Sequence, residues 1–186
     1  SDNGPVTHEG KDDDYLGSSA GPFRGEVGGV LEGALRVPGM VRWPGKVPAR
    51  KSNEMVAIHD FLPTFAAMLG GDLPADRPID GRNQLDFFTG QTEQSAREDD
   101  VAFVDGEVRA VRWLHWRIYP KQIMSSAGNP SALWVYGYRV EGMGYPAVYN
   151  IARDPREQMN QVGTEAWVIA SYMKIIGAYQ ASLEKH

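Results

Sequence analysis

Asp2 and Asn3 stand next to each other ahead of Gly4 in the opening Ser1-Asp2-Asn3-Gly4. A carboxylate and an amide oxygen are hard ligands that suit Ca2+ or Mg2+, and a Ca2+ shell takes about 6–8 oxygens, so this pair supplies part of one. Taken alone, the tripeptide is also a turn sequence, because all three residue types favour turns. The four histidines, His8, His59, His115 and His186, contain no i, i+4 pair or other ligand spacing. His8, in the loop that follows Asp2-Asn3, is the one placed to approach a substrate. Zero cysteines remove disulfides, thiolate ligands and a cysteine nucleophile together. Glu32 and Arg36, four residues apart, read as a pair bracing a loop or a helix end. Asp12-Asp13-Asp14 lacks the alternating ligands and central glycine of a calcium loop, and reads as a solvated run. The glycines from Gly25 to Gly33 do not form a dinucleotide fingerprint: the spacing is wrong and no strand precedes them. No residue is assigned as catalytic.

The elements that must carry these groups follow from pattern. The chain has 186 residues, 42% of them hydrophobic, enough for one ordinary domain or two small ones with a core. A net charge of −5 argues against a nucleic-acid surface, and no run has the apolar length of a membrane span. Residues 1–29 read as a long Gly-, Ser- and Asp-rich loop, and residues 35–43 as an extended segment interrupted by Pro38. A helix is expected from His59 to Leu69: Asp60 can cap it, Pro63 falls in its first turn, Leu62, Phe65, Ala66 and Leu69 share a face, and Gly70-Gly71 stops it. Residues 72–88 show little pattern, and the polar stretch from Thr89 to Asp100 reads as a boundary. Beyond it come strand candidates at 101–104, 108–113, 116–119, 134–140 and 147–151, with Asp105-Gly106 as a hairpin turn. His115 alternates with the strand aromatics, which read as one sheet face buried under a helix. From Glu165 to Leu183, Ile169, Tyr172, Met173, Ile176, Tyr179 and Leu183 recur at helical spacing and are expected to pack on the sheet.

Several stretches, in order, resemble the sulfatase family of the alkaline-phosphatase-like superfamily. Arg24, Gly25, Gly28, Glu32, Gly33, Arg36, Val37 and Pro38 follow the pattern Leu-Arg-Gly-Gly-Lys-Gly, two or three variable residues, Glu-Gly-Gly-x-Arg-Val-Pro. Trp43-Pro44-Gly45 matches the Arg-Trp-Pro-Gly that comes next, and Asp60-Phe61-Leu62-Pro63-Thr64 the Asp-Leu-Leu-Pro-Thr helix start. Tyr149 to Asp154, Pro155, Glu157 and Asn160 resemble the downstream Tyr-Asp-Leu-x-x-Asp-Pro-x-Glu segment.

The resemblance implies an α/β chain, α+β in its second half: a partial alkaline-phosphatase-like domain over 1–95, then a small subdomain over 96–186, an antiparallel sheet with a packed C-terminal helix. It implies a sulfate-ester substrate, a Ca2+ held by three Asp and one Asn or similar residue, and a formylglycine nucleophile made from Cys or Ser. Asp2 and Asn3 align with the last two metal ligands. The nucleophile and the other ligands are expected upstream of Ser1, which makes the isolated chain an inactive C-terminal part with a weak or absent metal site. Two departures matter. No Cys or Ser-x-Pro-x-Arg substitute is present, and Val27, beside Glu26, occupies the position of the family's sulfate-binding lysine. The resemblance also implies a periplasmic or secreted setting, with the compartment itself left open. Self-association through uncovered apolar faces is expected, with neither nucleic acid nor membrane as a partner. The alternatives are a non-catalytic structural or interaction remnant of the fold, and a hydrolase of phosphate or phosphonate esters.

Overall fold

The computed structural model describes residues 2–5, 19–104, 106–120 and 146–183. They fall into two compact units, one of residues 1–38 with 101–186 and one of residues 39–100. The strand candidate at 134–140, the Asp12-Asp13-Asp14 run, His8, His186 and Asp105 lie outside the described residues.

The first unit is built on a four-stranded sheet in the order β1 (Asp99–Val104), β2 (Glu107–Trp113), β3 (Trp116–Tyr119), β4 (Ala147–Asn150). β2 and β3 are antiparallel with Val111 opposite Ile118 and Arg112 opposite Arg117; β3 and β4 are antiparallel with Ile118 opposite Val148 and Tyr119 opposite Ala147. Side chains alternate along a strand, so this register sorts the sheet into two faces. Val111, Ile118 and Val148 join Trp116 in a core closed by Val168, Tyr172 and Ile176 of helix α4 (Val168–Leu183). Ala110, Tyr119 and Ala147 form the other face with Val30. Covering both faces buries every residue of β3, two tryptophan- and tyrosine-bearing ends included.

The helix expectation needs two adjustments. α4 starts at Val168, which is fully buried, while Met173 and Leu183 of the anticipated stripe stay exposed. His115 does not sit in a strand. It occupies the two-residue turn between β2 and β3 with Leu114, whose φ of 53° is left-handed, and its carbonyl accepts from the amide of Ile151 at 2.9 Å. Gly106, with φ of 74°, supplies the left-handed residue in the link between β1 and β2.

The second unit holds a 3-10 turn (Ile58–Asp60) running into α2 (Phe61–Leu69), then α3 (Leu85–Thr89), a short helix with no sequence signature beyond the left-handed Gly90 that ends it. α2 stops at Gly70, φ 66°, as the glycine pair requires. Its buried residues are Pro63 and Thr64, however, whereas Ile58, Leu62, Phe65 and Leu69 lie exposed. Periodicity identified the apolar stripe of α2 and could not say whether anything covers it.

Candidate functional site

The Asp2–Pro5 segment is held by backbone. The buried Gly4 donates its amide to the carbonyl of Ala34 at 2.9 Å, and the amide of Val27 donates to the carbonyl of Pro5 at 2.9 Å. The Asp2-Asn3 segment and the loop carrying Val27 are thereby neighbours. Contact is close enough to demand glycine. A methyl on Gly4 would lie 2.6 Å from the Ala34 oxygen, and one on Gly33 would lie 2.8 Å from both Ala20 Cβ and the Arg24 oxygen. Gly25 adopts φ of 107°, which side-chain-bearing residues rarely take. Asp2 and Asn3 are exposed beside this anchor, and Asn3 Nδ2 donates to the Gly4 carbonyl at 2.8 Å, orienting the amide.

Ala34 belongs to α1 (Glu32–Leu35), a single turn of four residues. Its N-cap is Leu31, which has no side-chain acceptor to offer. The accepting groups come from elsewhere in the unit. The Glu32 amide donates to Glu157 Oε2 at 3.3 Å, and the Gly33 amide to the Arg24 carbonyl at 2.8 Å. The Glu32 carboxylate takes Arg112, Arg117 at 3.9 Å and Arg36 at 3.6 Å. Arg36 also lies over the Phe23 ring at 4.4 Å, so the Glu32–Arg36 pair braces the loop as read from the sequence. Arg117 donates further to the Val30 carbonyl, leaving its buried Nε without a partner.

Glu157 is presented by a turn. The Asp154 amide donates to the Asn150 carbonyl at 2.7 Å, Asp154 Oδ2 accepts the amides of Gln158 and Met159 at 2.7 Å each, and Asn160 Oδ1 accepts those of Val148 and Val162. Glu157 itself has φ of 52° and is 1% exposed, and its Oε1 accepts the Tyr119 hydroxyl. Burial pushes its carboxyl above the usual glutamate range, with the Tyr119 hydroxyl and the Arg117 charge pulling it back. Burial likewise raises the Tyr119 phenol well above 10.

The structure therefore places Asp2 and Asn3 together at a pinned, exposed edge. Among the described residues no group of three or more His, Cys, Asp or Glu side chains could hold a metal ion. The donors present fit part of a hard-cation shell, one carboxylate and one amide oxygen. Arg24 is exposed and Glu26 buried. His59 lies exposed in the 3-10 turn, consistent with its reading as a helix-starting residue. Arg112, Arg117 and Tyr119 were not singled out by sequence as partners of α1. Their signal is charge and a phenol on alternate positions of two adjoining strands, the pattern of a sheet face that packs on something polar.

The second unit has its own buried hub. Asp60, fully buried, takes Arg97 through both Nε (3.0 and 2.8 Å) and Nη2 (2.6 Å), Gln84 Nε2 at 3.1 Å, and the amides of Ala57 and Arg82 at 2.9 and 2.7 Å. Asp60 thus turns away from the α2 cap expected of it and ties α2 to the stretch that reads as a boundary. Burial alone would raise its pKa, but the Arg97 hydrogen bond and charge and the two amides outweigh that and hold it at about 2.

Comparison with known proteins bears on this arrangement. The sulfatase family model matches residues 1–71, which include Asp2-Asn3, the loop, α1 and α2. Steryl-sulfatase of Rattus norvegicus is 33% identical over 172 residues, 85% of this chain. The crystal structure of a Pseudoalteromonas sp. sulfatase superposes with a TM-score of 0.84 at 26% identity over 99% of the chain. This chain belongs with the sulfatases. Human arylsulfatase D adds 31% identity over 156 residues, 76% of the chain. The chain spans 30% of the rat relative, 26% of the human one and 36% of the Pseudoalteromonas chain. Its mixed fold, with a small antiparallel sheet and C-terminal helix, is that of the alkaline-phosphatase-like sulfatases.

Proposed function

We propose that this chain is the C-terminal part of a sulfate-ester hydrolase, carrying one wall of its site and not the group that attacks the ester. The observation that carries the reading is the backbone tie of Asp2–Pro5 to the glycine-rich loop and α1, in a chain of 186 residues without cysteine. Asp2 and Asn3 supply oxygens to a divalent cation, Ca2+ by resemblance, shared with donors from outside these residues. When bound, such an ion draws charge from the oxygens of a sulfate group. The 24–29 loop packs beside that position and presents Val27, an apolar contact, where a cation would hold the anion. Alone, the chain has no nucleophile of the family's type and is inactive.

A second reading, a structural or interaction remnant of the sulfatase fold, is favoured by one observation: Val27 and the buried Glu26 occupy the place of the sulfate-holding cation. Loss of a positioned charge at developing charge costs about 3 kcal/mol in the transition state.

The deciding experiment has two arms. Purified chain is assayed with an aryl sulfate, where turnover that tracks the protein through purification would overturn its inactivity. The coding sequence on the N-terminal side of Ser1 is read for Cys-x-Pro-Ser-Arg. Its presence supports the hydrolase, and its absence the remnant.

A further inference from the structure

We propose that Glu157 is a positioning residue for this site, setting Asp2 and Asn3 through α1; the inference rests on the reading of the site given above. The connection is continuous. The Tyr119 hydroxyl donates to Glu157 Oε1, the Glu32 amide donates to Glu157 Oε2 at 3.3 Å, and two residues along α1 the Ala34 carbonyl accepts the Gly4 amide at 2.9 Å.

Each link has little freedom. α1 is one turn long, too short to persist on its own hydrogen bonds, and its own N-cap offers nothing to the first amide. Gly4 and Gly33 have no spare volume on their side-chain faces, so a shift of α1 moves the Asp2–Pro5 segment with it. Glu157 is held in a left-handed conformation by the Asn150–Asp154 turn, with its carboxylate fully enclosed. A non-glycine residue keeps such a conformation when its surroundings over-determine it. Here those surroundings aim both carboxylate oxygens, one at the sheet and one at α1. The metal-type pair thus takes its position from the C-terminal sheet and the turn after β4, not only from the loop next to it.

Amide exchange followed by NMR on the whole chain tests this without ester or metal. In Glu157→Ala, the Gly4 and Val27 amides should exchange at least about tenfold faster, while the strand amides of β2 and β3 keep their protection. Glu157→Gln should restore Gly4, because its amide oxygen can accept from Glu32 while its Nε2 donates to the Tyr119 oxygen. Unchanged Gly4 exchange in a folded Glu157→Ala chain overturns the proposal. So does equal acceleration of the Gly4 and strand amides, which is what a merely stabilising residue produces. If Glu157→Ala does not fold, Tyr119→Phe takes its place: selective acceleration at Gly4 supports the coupling, and unchanged or uniform exchange removes it. The readout is independent of turnover. Failure to find a hydrolase sinks the site reading and leaves the measured coupling standing, whereas failure at Gly4 sinks the coupling alone.

Discussion

The backbone amide of Glu32 donates to the side chain of Glu157, 125 residues further along the chain. Two stretches recognisable in the sequence, the Glu-Gly turn and the Asp-Pro-x-Glu turn, are thus halves of one structural contact. Loop closure over that separation is costly but grows only slowly with length. The contact is supported by the ion pairs of Glu32 with Arg112 and Arg117, which set one buried carboxylate between two guanidinium groups.

Breaking that space one-sidedly should be expensive. Arg112→Ala takes the nearest cation from the buried Glu32, which keeps Arg36 and Arg117, and should lower the stability of the first unit by about 2 kcal/mol, read as a drop in the urea midpoint at constant slope.

The second unit should carry an acid-sensitive step. Asp60 has a depressed folded-state pKa, so its contribution is present above the unfolded value near 4 and is lost as pH falls through about 2. The amount at neutral pH is about 2 kcal/mol by linkage. Denaturant melts between pH 6 and 2 should show this decline. In Asp60→Asn the protein should start less stable and lack that component of the slope; an unchanged slope would remove Asp60 as its source.

Gly4→Ala tests the anchor. The added methyl meets the Gly33 and Ala34 carbonyls, so either the segment lifts off or the chain is strained by roughly 2 kcal/mol. Loss of protection at the Val27 amide, bonded to Pro5, distinguishes lifting from strain.

Calcium should bind this chain weakly or not at all, because two donors at an exposed edge do not make a preorganised shell. Calorimetry at millimolar Ca2+ should show no sub-micromolar event. A sub-micromolar site that disappears in Asp2→Ala would refute this.

The uncovered stripe of α2 should drive association of the chain with itself. Leu62, Phe65 and Leu69 are 52%, 53% and 86% exposed, Ile58 of the preceding 3-10 turn is 72% exposed, and Phe61 stacks on Phe65 with centroids 5.7 Å apart. Contiguous apolar surface of this kind is uncommon on soluble monomers. Sedimentation of the wild-type chain should show species larger than a monomer, shifting to monomer in Leu62→Glu/Phe65→Glu. A monodisperse wild-type monomer counts against it.

Sequence alone determined the local pieces. Pro63 and Gly70-Gly71 bounded α2, alternation and turn residues marked β2, β3 and β4, and the ordered motifs identified the family and paired Asp2 with Asn3. These are short-range matters, decided by allowed φ, missing donors and periodicity. Tertiary structure decided what each piece faces. It turned Asp60 from a helix cap into a buried ion-pair partner of Arg97, exposed the α2 stripe, put His115 in a turn, and covered the second face of the sheet with α1 and its charges. The physical reason is that burial and charge pairing depend on which distant segments meet. Glu32 has the same residue type whether it faces water or Arg112, and only the folded chain brings Arg112, Arg117 and Glu157 to it.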